Sequence, residues 1–348
     1  MPDPGRPVRG LGALCLAAAL ALGCGAGAPP PPADKPAPAT APPLHDGPLT
    51  DYVPSAGLRW MVVGRPKELA SDASLAKAIE LLLPGERLDA FSKSSGIDLR
   101  TLDAGLIAGF DHATLYLADA RTGSSSAEER FAERLLAGTR VARPHPRIHR
   151  IAGVVGQTPE TLVRVDGRLV AVSVGSALPA RIVELYARQK LAKSPSALRG
   201  SALSSLPVAE LETSPMRFYA PGPFSGDWTR GARGLLAAAT AVGIAVRPAP
   251  EGRLSVVVVI AGSFGGGDAD PATQVGQAWT DLSQSGLGKL LGLDQAAAPS
   301  VVVTPDALRL SVELAALPLA QGLRAAVMAE VWEILDLSPP AAKEPLPP

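Results

Sequence analysis

Cysteine, aromatic residues and net charge are all scarce in this chain, and each shortage excludes a class of function. Its two cysteines, Cys15 and Cys24, lie within the first 24 of 348 residues. The rest of the chain can therefore hold no disulfide, no thiolate zinc site and no cysteine nucleophile. Aromatic residues make up 4%, too few for a wide stacking platform for sugars or bases. Lys plus Arg is 33 and Asp plus Glu is 33, whereas a general nucleic-acid binder would be clearly basic. Only four histidines are present. What the chain does have is a 47% apolar fraction with 35 glycines and 35 prolines. That is too apolar for a wholly disordered chain and rich in turn-forming residues.

Residues 1–23 read as an export signal: Arg6 and Arg9 precede a 12-residue apolar run, Leu11 to Leu22. That run is short for a membrane span, which needs about 20 residues. No Arg-Arg pair marks a twin-arginine route. The run ends in Leu20-Ala21-Leu22-Gly23-Cys24, which resembles the lipobox of bacterial lipoproteins. The resemblance implies cleavage between Gly23 and Cys24, a diacylglycerol on the Cys24 sulfur and an acyl group such as palmitate on the new amino terminus. Two or three acyl chains hold a protein on a membrane where one would not. Gly25 after the cysteine resembles outer-membrane sorting. Simple secretion is the alternative: Ala26-Gly27-Ala28 has the small-x-small form of an ordinary signal cut, although Pro29 follows it directly.

Residues 24–50 are expected to be a tether, since Pro29 to Pro32 and five later prolines favour extended polyproline II. Residues 337–348 are again proline-rich and are expected to be a disordered tail. The body falls into a first half, 51–191, a connector, 192–215, and a second half, 216–336. In the first half, strands are expected at Leu58–Val63 and Ala113–Ala118. Helices are expected over Glu68–Leu83, with Leu75, Ile79 and Leu82 inward, and over Arg87–Ser94 and Ala127–Ala137. Asp166-Gly167 between apolar runs signals a hairpin, because both turn positions need positive φ. A helix from Pro179 to Leu191 follows. In the second half, Met216–Ala220 reads as a strand, Arg230–Val242 as an Ala-rich helix and Leu254–Ala261 as a central buried strand. Pro271–Leu291 reads as a broken helix, Val301–Leu314 as a hairpin around Pro305-Asp306 and Pro318–Ile334 as a closing helix.

This pattern predicts an α+β protein of two similar halves, each running strand, helix, strand, helix, hairpin, helix, in one compact unit. Ala177-Leu178-Pro179 and Ala316-Leu317-Pro318 each follow a hairpin and open a helix. The two closing helices are expected to pack on their own hairpins, through Ile182 and Tyr186 in one and Leu323 and Val327 in the other.

No local motif carries chemistry. Ser74 and Lys77 have a Ser-x-x-Lys spacing, but the Ser-Asp-Asn and Lys-Thr-Gly elements that accompany it in penicillin-binding families are missing. Asp72 and Ser74 suit a helix cap instead. His112 sits in an expected loop. His145 and His149 are flanked by Pro144 and Pro146, which disfavour the helix that would bring them onto one metal. The glycines at 265–267 follow a strand but lack a phosphate-loop lysine, and Asp268 and Asp270 would repel phosphate. Glu128, Glu129 and Glu133 read with Arg130 and Arg134 as a solvated helix face. Arg140, Arg143, His145, Arg147, His149 and Arg150 form the densest basic stretch. They are a candidate patch for an anionic partner, although a charged strand edge that blocks aggregation is the favoured reading. The sequence thus favours a lipid-anchored envelope protein with a binding or structural role, with no catalytic residue, metal or cofactor assigned. Its expected partners are the membrane through the lipid, and an envelope protein or anionic envelope polymer, with no nucleic acid. The rival readings are an enzyme using carboxylates from distant segments and a lipid carrier with a cavity between the halves.

Overall fold

The computed structural model describes residues 42–121, 123–191, 193–226, 233–264 and 270–328. Gly23, Cys24, the signal, the glycines at 265–267, Asp268 and the tail all lie outside them. In chain order the first half comprises β1 (Leu58–Gly64), α1 (Pro66–Ser71), α2 (Ala76–Leu82), α3 (Gly85–Ser95), β2 (Gly105–Phe110), β3 (Thr114–Asp119) and α4 (Ser124–Arg134). It continues with β4 (Ala137–His145), β5 (Ile148–Val155), β6 (Thr158–Val165), β7 (Leu169–Val174) and α5 (Leu178–Ala187). The one-turn helices α6 (Ala197–Gly200) and α7 (Val208–Leu211) lead to β8 (Met216–Pro221), β9 (Ala239–Ala249), β10 (Arg253–Gly262), α8 (Pro271–Gln284) and α9 (Gly286–Leu290). Last come β11 (Ser300–Val303), β12 (Ala307–Ala315) and α10 (Ala316–Met328).

All twelve strands of the described residues join one antiparallel sheet in the order β11-β12-β10-β9-β8-β1-β2-β3-β7-β6-β5-β4. Read outward from the centre, β1-β2-β3-β7-β6 and β8-β9-β10-β12-β11 have the same order, although α1, α2 and α3 stand between β1 and β2. Each places a helix, α4 or α8, between its third strand and its terminal hairpin. The β4–β5 hairpin is an addition to the first half alone. Antiparallel pairing of β1 with β8 fuses the two sets. The protein is α+β.

Local chemistry explains many of these elements. Asp166 (φ 52°) and Gly167 (φ 65°) take the expected positive φ in the turn between β6 and β7, although three residues, 166–168, and not two separate the paired Val165 and Leu169. Gly96 (φ 74°) ends α3 in the left-handed cap that glycine adopts without strain. The Asp270 carboxylate caps α8 by accepting from the Ala272 and Thr273 amides.

Several expectations are corrected. The Arg230–Val242 helix is not found in the described residues: a single 3-10 turn, Leu235–Ala237, leads into β9. Alanine's helix propensity yields there to two strand partners. Small residues are needed because a Cβ on Gly243 would meet Leu211 Cδ1 at 2.7 Å. The Glu68–Leu83 helix breaks between α1 and α2, where Asp72 accepts bonds from the Ser74 amide and hydroxyl, and Leu82 is exposed. Packed structure begins before residue 51. His45 N–H donates to the Ala187 carbonyl, and Leu49 and Thr50 are buried. Nor is 192–215 a bare connector, since Leu198, Leu203, Leu206 and Leu211 enter the main core. The strand β10 is central in its half, yet most of its residues are only half-buried.

The closing helices also differ from expectation. α5 packs on β6 and β7, but through Ala180, Val183 and Ala187 rather than Ile182 and Tyr186 as its deepest residues. α10 packs chiefly on α2, burying Ala316 and Ala320 while Leu323 and Val327 face outward. The cause is the linker. Gly175 (φ 90°), Ser176 and Ala177 turn the chain back from β7, whereas β12 ends at Ala315 and α10 starts at Ala316, leaving no residue to reverse direction.

The core lies on both sheet faces. One face carries the 42–53 segment, α5 and the 197–211 segment over Met61, Leu115, Val163 and Tyr219. The other carries α3 and α4 over the first half and α8 over the second.

Candidate functional site

The side chains that face each other across an antiparallel pair lie on the same face of the sheet. Following those pairs from one edge to the other gives a row of one apolar residue per strand. It begins Val301, Leu310, Val258, Ile244, Phe218 and Val62. It continues Ile107, Tyr116, Val172, Leu162, Ile151 and Val141. Near the ends helices cover it: Ala127 and Phe131 of α4 close over Leu162 and Ile151, and Val275 of α8 packs with Val301 and Leu310. In the middle the cover opens. Ile107 is 39% and Tyr116 44% exposed, and Val62 and Phe218 are half-buried.

Over this opening α3 leans without sealing it. Two adjoining cavities, of about 360 Å³ and about 500 Å³, share Phe91, Ile97, Tyr116, Val170 and Val172 as walls. They form a groove between α3 and the strands β1, β2, β3, β7 and β6. At the β1 end every lining side chain is apolar, glycine or proline except for the Tyr116 hydroxyl. At the β6 end the wall gains Ser94, Ser95 and the ion pair of Arg134 with Glu160, at 3.0 Å. The volume falls in the roughly 300–1,000 Å³ range of small-molecule sites, which are mostly apolar with a few placed polar groups. The groove lies in the first half and not between the halves.

A second, polar cavity of about 260 Å³ lies on the opposite face, beneath residues 43–47. Its charges are already neutralised within the protein. Arg168 bridges Asp119, at 3.0 Å, and Asp46, while Arg147 holds Asp166 at 3.0 Å. Burial raises the Asp119 carboxyl above its usual range and pushes the Tyr52 hydroxyl up to about 12. The Tyr52 hydroxyl donates to the His45 carbonyl at 2.7 Å.

The basic stretch forms the β4–β5 hairpin at the sheet edge, but its residues do not share one surface. The Arg150 guanidinium donates to Glu184 on α5 at 2.6 Å, whereas His149 Nδ1 lies 3.1 Å from Glu128 on α4, across the sheet. Arg147 is held by Asp166, and the Arg147 amide donates to His145 Nδ1 at 3.2 Å. Arg140 and Arg143 are exposed on the edge strand β4. Glu128, expected on a solvated helix face, is turned inward between His149 and Arg164. His112 is exposed in the β2–β3 turn. Ser74 and Lys77 lie at the start of α2, with Ser74 bonded to Asp72.

Sequence reading missed the groove because β2 was not recognised and the site's residues are scattered over five strands. The available signal was the alternation Leu106-Ile107-Ala108, in which Leu106 and Ala108 are buried and Ile107 is not.

No family model and no curated protein sequence matches this chain. Among solved structures it is similar to crystal form III of TP0453, with a TM-score of 0.48 and 12% identity over 80% of this chain and 99% of that one. It is also similar to crystal form IV of TP0453, with a TM-score of 0.45 and 13% identity over 82% of this chain and 98% of that one.

Proposed function

We propose that this is a lipid-anchored protein of the cell envelope with a non-catalytic binding role, and that the groove under α3 is its binding element. The observation that carries the binding role is the apolar lining of the groove, which is open to solvent at Ile107 and Tyr116. Exposed apolar surface is unfavourable in water at about 25 cal/mol per Å². A groove kept apolar along five strands therefore suits an elongated apolar ligand, and an acyl chain is the simplest such ligand. The Arg134–Glu160 pair at one end gives a polar terminus where a headgroup meets water. Binding is favoured over catalysis because Glu128, Glu160 and Glu184 are each engaged by arginines that hold the fold together.

The anchor rests on the lipobox-like run ending at Cys24. Outer-membrane residence follows from Gly25 by the same resemblance. Two measurements test the proposal. Growth with an alkyne-tagged palmitate should label the protein, and Cys24→Ala should remove the label; equal labelling of both would remove the anchor from the reading. Titration with a fluorescent acyl probe should be saturable in the native protein and lost in Tyr116→Asp. Equal probe affinity in the two proteins would remove the groove.

A further inference from the structure

A second apolar surface lies away from the groove, on α9 and α10 of the second half and the end of α2. Leu287 and Leu290 of α9, Leu323 and Val327 of α10, and Leu82 and Leu83 at the end of α2 are all exposed. Three contacts place these helices side by side. A Cβ on Gly322 would land on the Leu290 carbonyl oxygen, so α10 and α9 touch backbone to backbone. On the other flank Arg324 Nη1 reaches to 3.5 Å from the Leu81 carbonyl of α2. Pro318 of α10 sits 3.0 Å from the same kind of added Cβ on Gly292, just beyond α9. α10 is thus flanked by α9 and α2, with aliphatic side chains directed out of the bundle.

The charges on these helices indicate the partner. α9 and α10 each carry one charged side chain, Lys289 and Arg324, both basic and exposed, while α2 carries the exposed pair Lys77 and Glu80, so the three helices together are net basic. Among the described residues, the exposed large hydrophobic side chains of α9 and α10 are leucine and valine, with no aromatic anchor of the kind that dominates protein–protein interfaces. Aliphatic side chains beside lysine or arginine match the boundary between acyl chains and anionic headgroups. Among the described residues no helix is long and apolar enough to cross a bilayer, which needs about 20 apolar residues.

We propose that α9, α10 and the end of α2 form a docking surface for an anionic lipid bilayer, with Leu287, Leu290, Leu323 and Val327 entering the acyl boundary and Lys289 and Arg324 at headgroup level. The surface is separate from the α3 groove and does not need it. The Cys24 anchor of the preceding proposal would bring the bilayer within reach, but the lipid contact is defined by these residues alone.

The test places a fluorophore by Leu287→Cys, by Leu323→Cys and, as a control on α5, by exposed Leu178→Cys. Each protein is mixed with vesicles of three parts phosphatidylcholine to one part phosphatidylglycerol carrying a nitroxide on the acyl chain. The expected result is quenching at positions 287 and 323 at least threefold greater than at 178, weakening when phosphatidylglycerol is left out. Because all three labelled positions are exposed, folding should be preserved, and circular dichroism of each protein checks it. Equal quenching at the three positions overturns the proposal. So does shielding of the two labels without vesicles together with a dimer by light scattering, which would assign the surface to a second copy. Loss of acyl-probe binding in Tyr116→Asp with this quenching pattern unchanged separates the two sites.

Discussion

Ile107 and Tyr116 are direct partners across the β2–β3 pair, and both remain about two-fifths exposed at the centre of a twelve-strand sheet. Their neighbours along the row, Val62 and Val172, belong to the same groove. Because the two side chains already meet water, replacing either should change binding far more than folding. Ile107→Asp is expected to weaken acyl-probe binding more than tenfold. Its stability should stay within about 1 kcal/mol of the native protein, as for surface positions with modest strand preference. A urea titration beside the binding titration checks both numbers.

Glu184 should behave in the opposite way. Its side chain is 5% exposed and holds two arginines, Arg150 at 2.6 Å and Arg188 at 3.2 Å. Glu184→Gln leaves two guanidinium groups with a neutral partner beneath α5. The arginines are partly exposed, which softens the loss, so the expected cost is about 2–3 kcal/mol. Acyl-probe affinity at a temperature where the variant is folded should be unchanged, because α5 lies on the face opposite the groove.

Gly322 tests the packing that builds the proposed lipid-facing surface. Gly322→Ala inserts a methyl group where α10 meets the Leu290 carbonyl, and that backbone cannot rotate aside like a side chain. The helices must separate, at an expected cost of about 1–3 kcal/mol, despite alanine's better helix propensity. A gain in stability by urea denaturation would show that α9 and α10 do not approach this closely.

Asp270 supplies a pH-dependent contribution. Hydrogen bonds from the Thr273 hydroxyl and amide and from the Ala272 amide hold its carboxyl below the ordinary value of 3.8. A carboxyl whose folded pKa is depressed stabilises the fold above the unfolded pKa, and that contribution is lost as pH falls through the folded value. The difference in melting temperature between the native protein and Asp270→Ala should therefore be constant from pH 5 to 7 and shrink below about pH 4. A difference that grows on acidification would contradict the cap.

These variants also mark how far the fold could be read from the sequence. The hairpin at Asp166-Gly167, the stop at Gly96 and the cap at Asp270 were legible because each depends on a few neighbouring residues with one dominant preference. The start of strand β9 was not legible, since Ala237, Ala238, Ala239 and Ala241 favour a helix, and 239–242 becomes strand only through pairing with β8 and β10. Strand β2 is short and glycine-flanked, and without it the row linking Val62 to Tyr116 has no middle. The matching order of the two halves was visible in the helix–hairpin–helix pattern. The path of α10 was not, because it turns on the missing linker between Ala315 and Ala316. The groove is a property of sheet register, which no local window contains.

Trp60 offers the most direct measurement of acyl binding in the groove. It lies on β1, two residues from Val62 and therefore on the same sheet face. Its ring covers Gly109, and it is 37% exposed. A fatty acid carrying bromine along its chain should quench Trp60 fluorescence saturably, near one ligand per protein. Trp60→Phe should remove that signal, and Ile107→Asp should abolish saturation while leaving the unquenched emission intact. Unsaturable quenching that is equal in the native protein and in Ile107→Asp would contradict an acyl-chain site under α3.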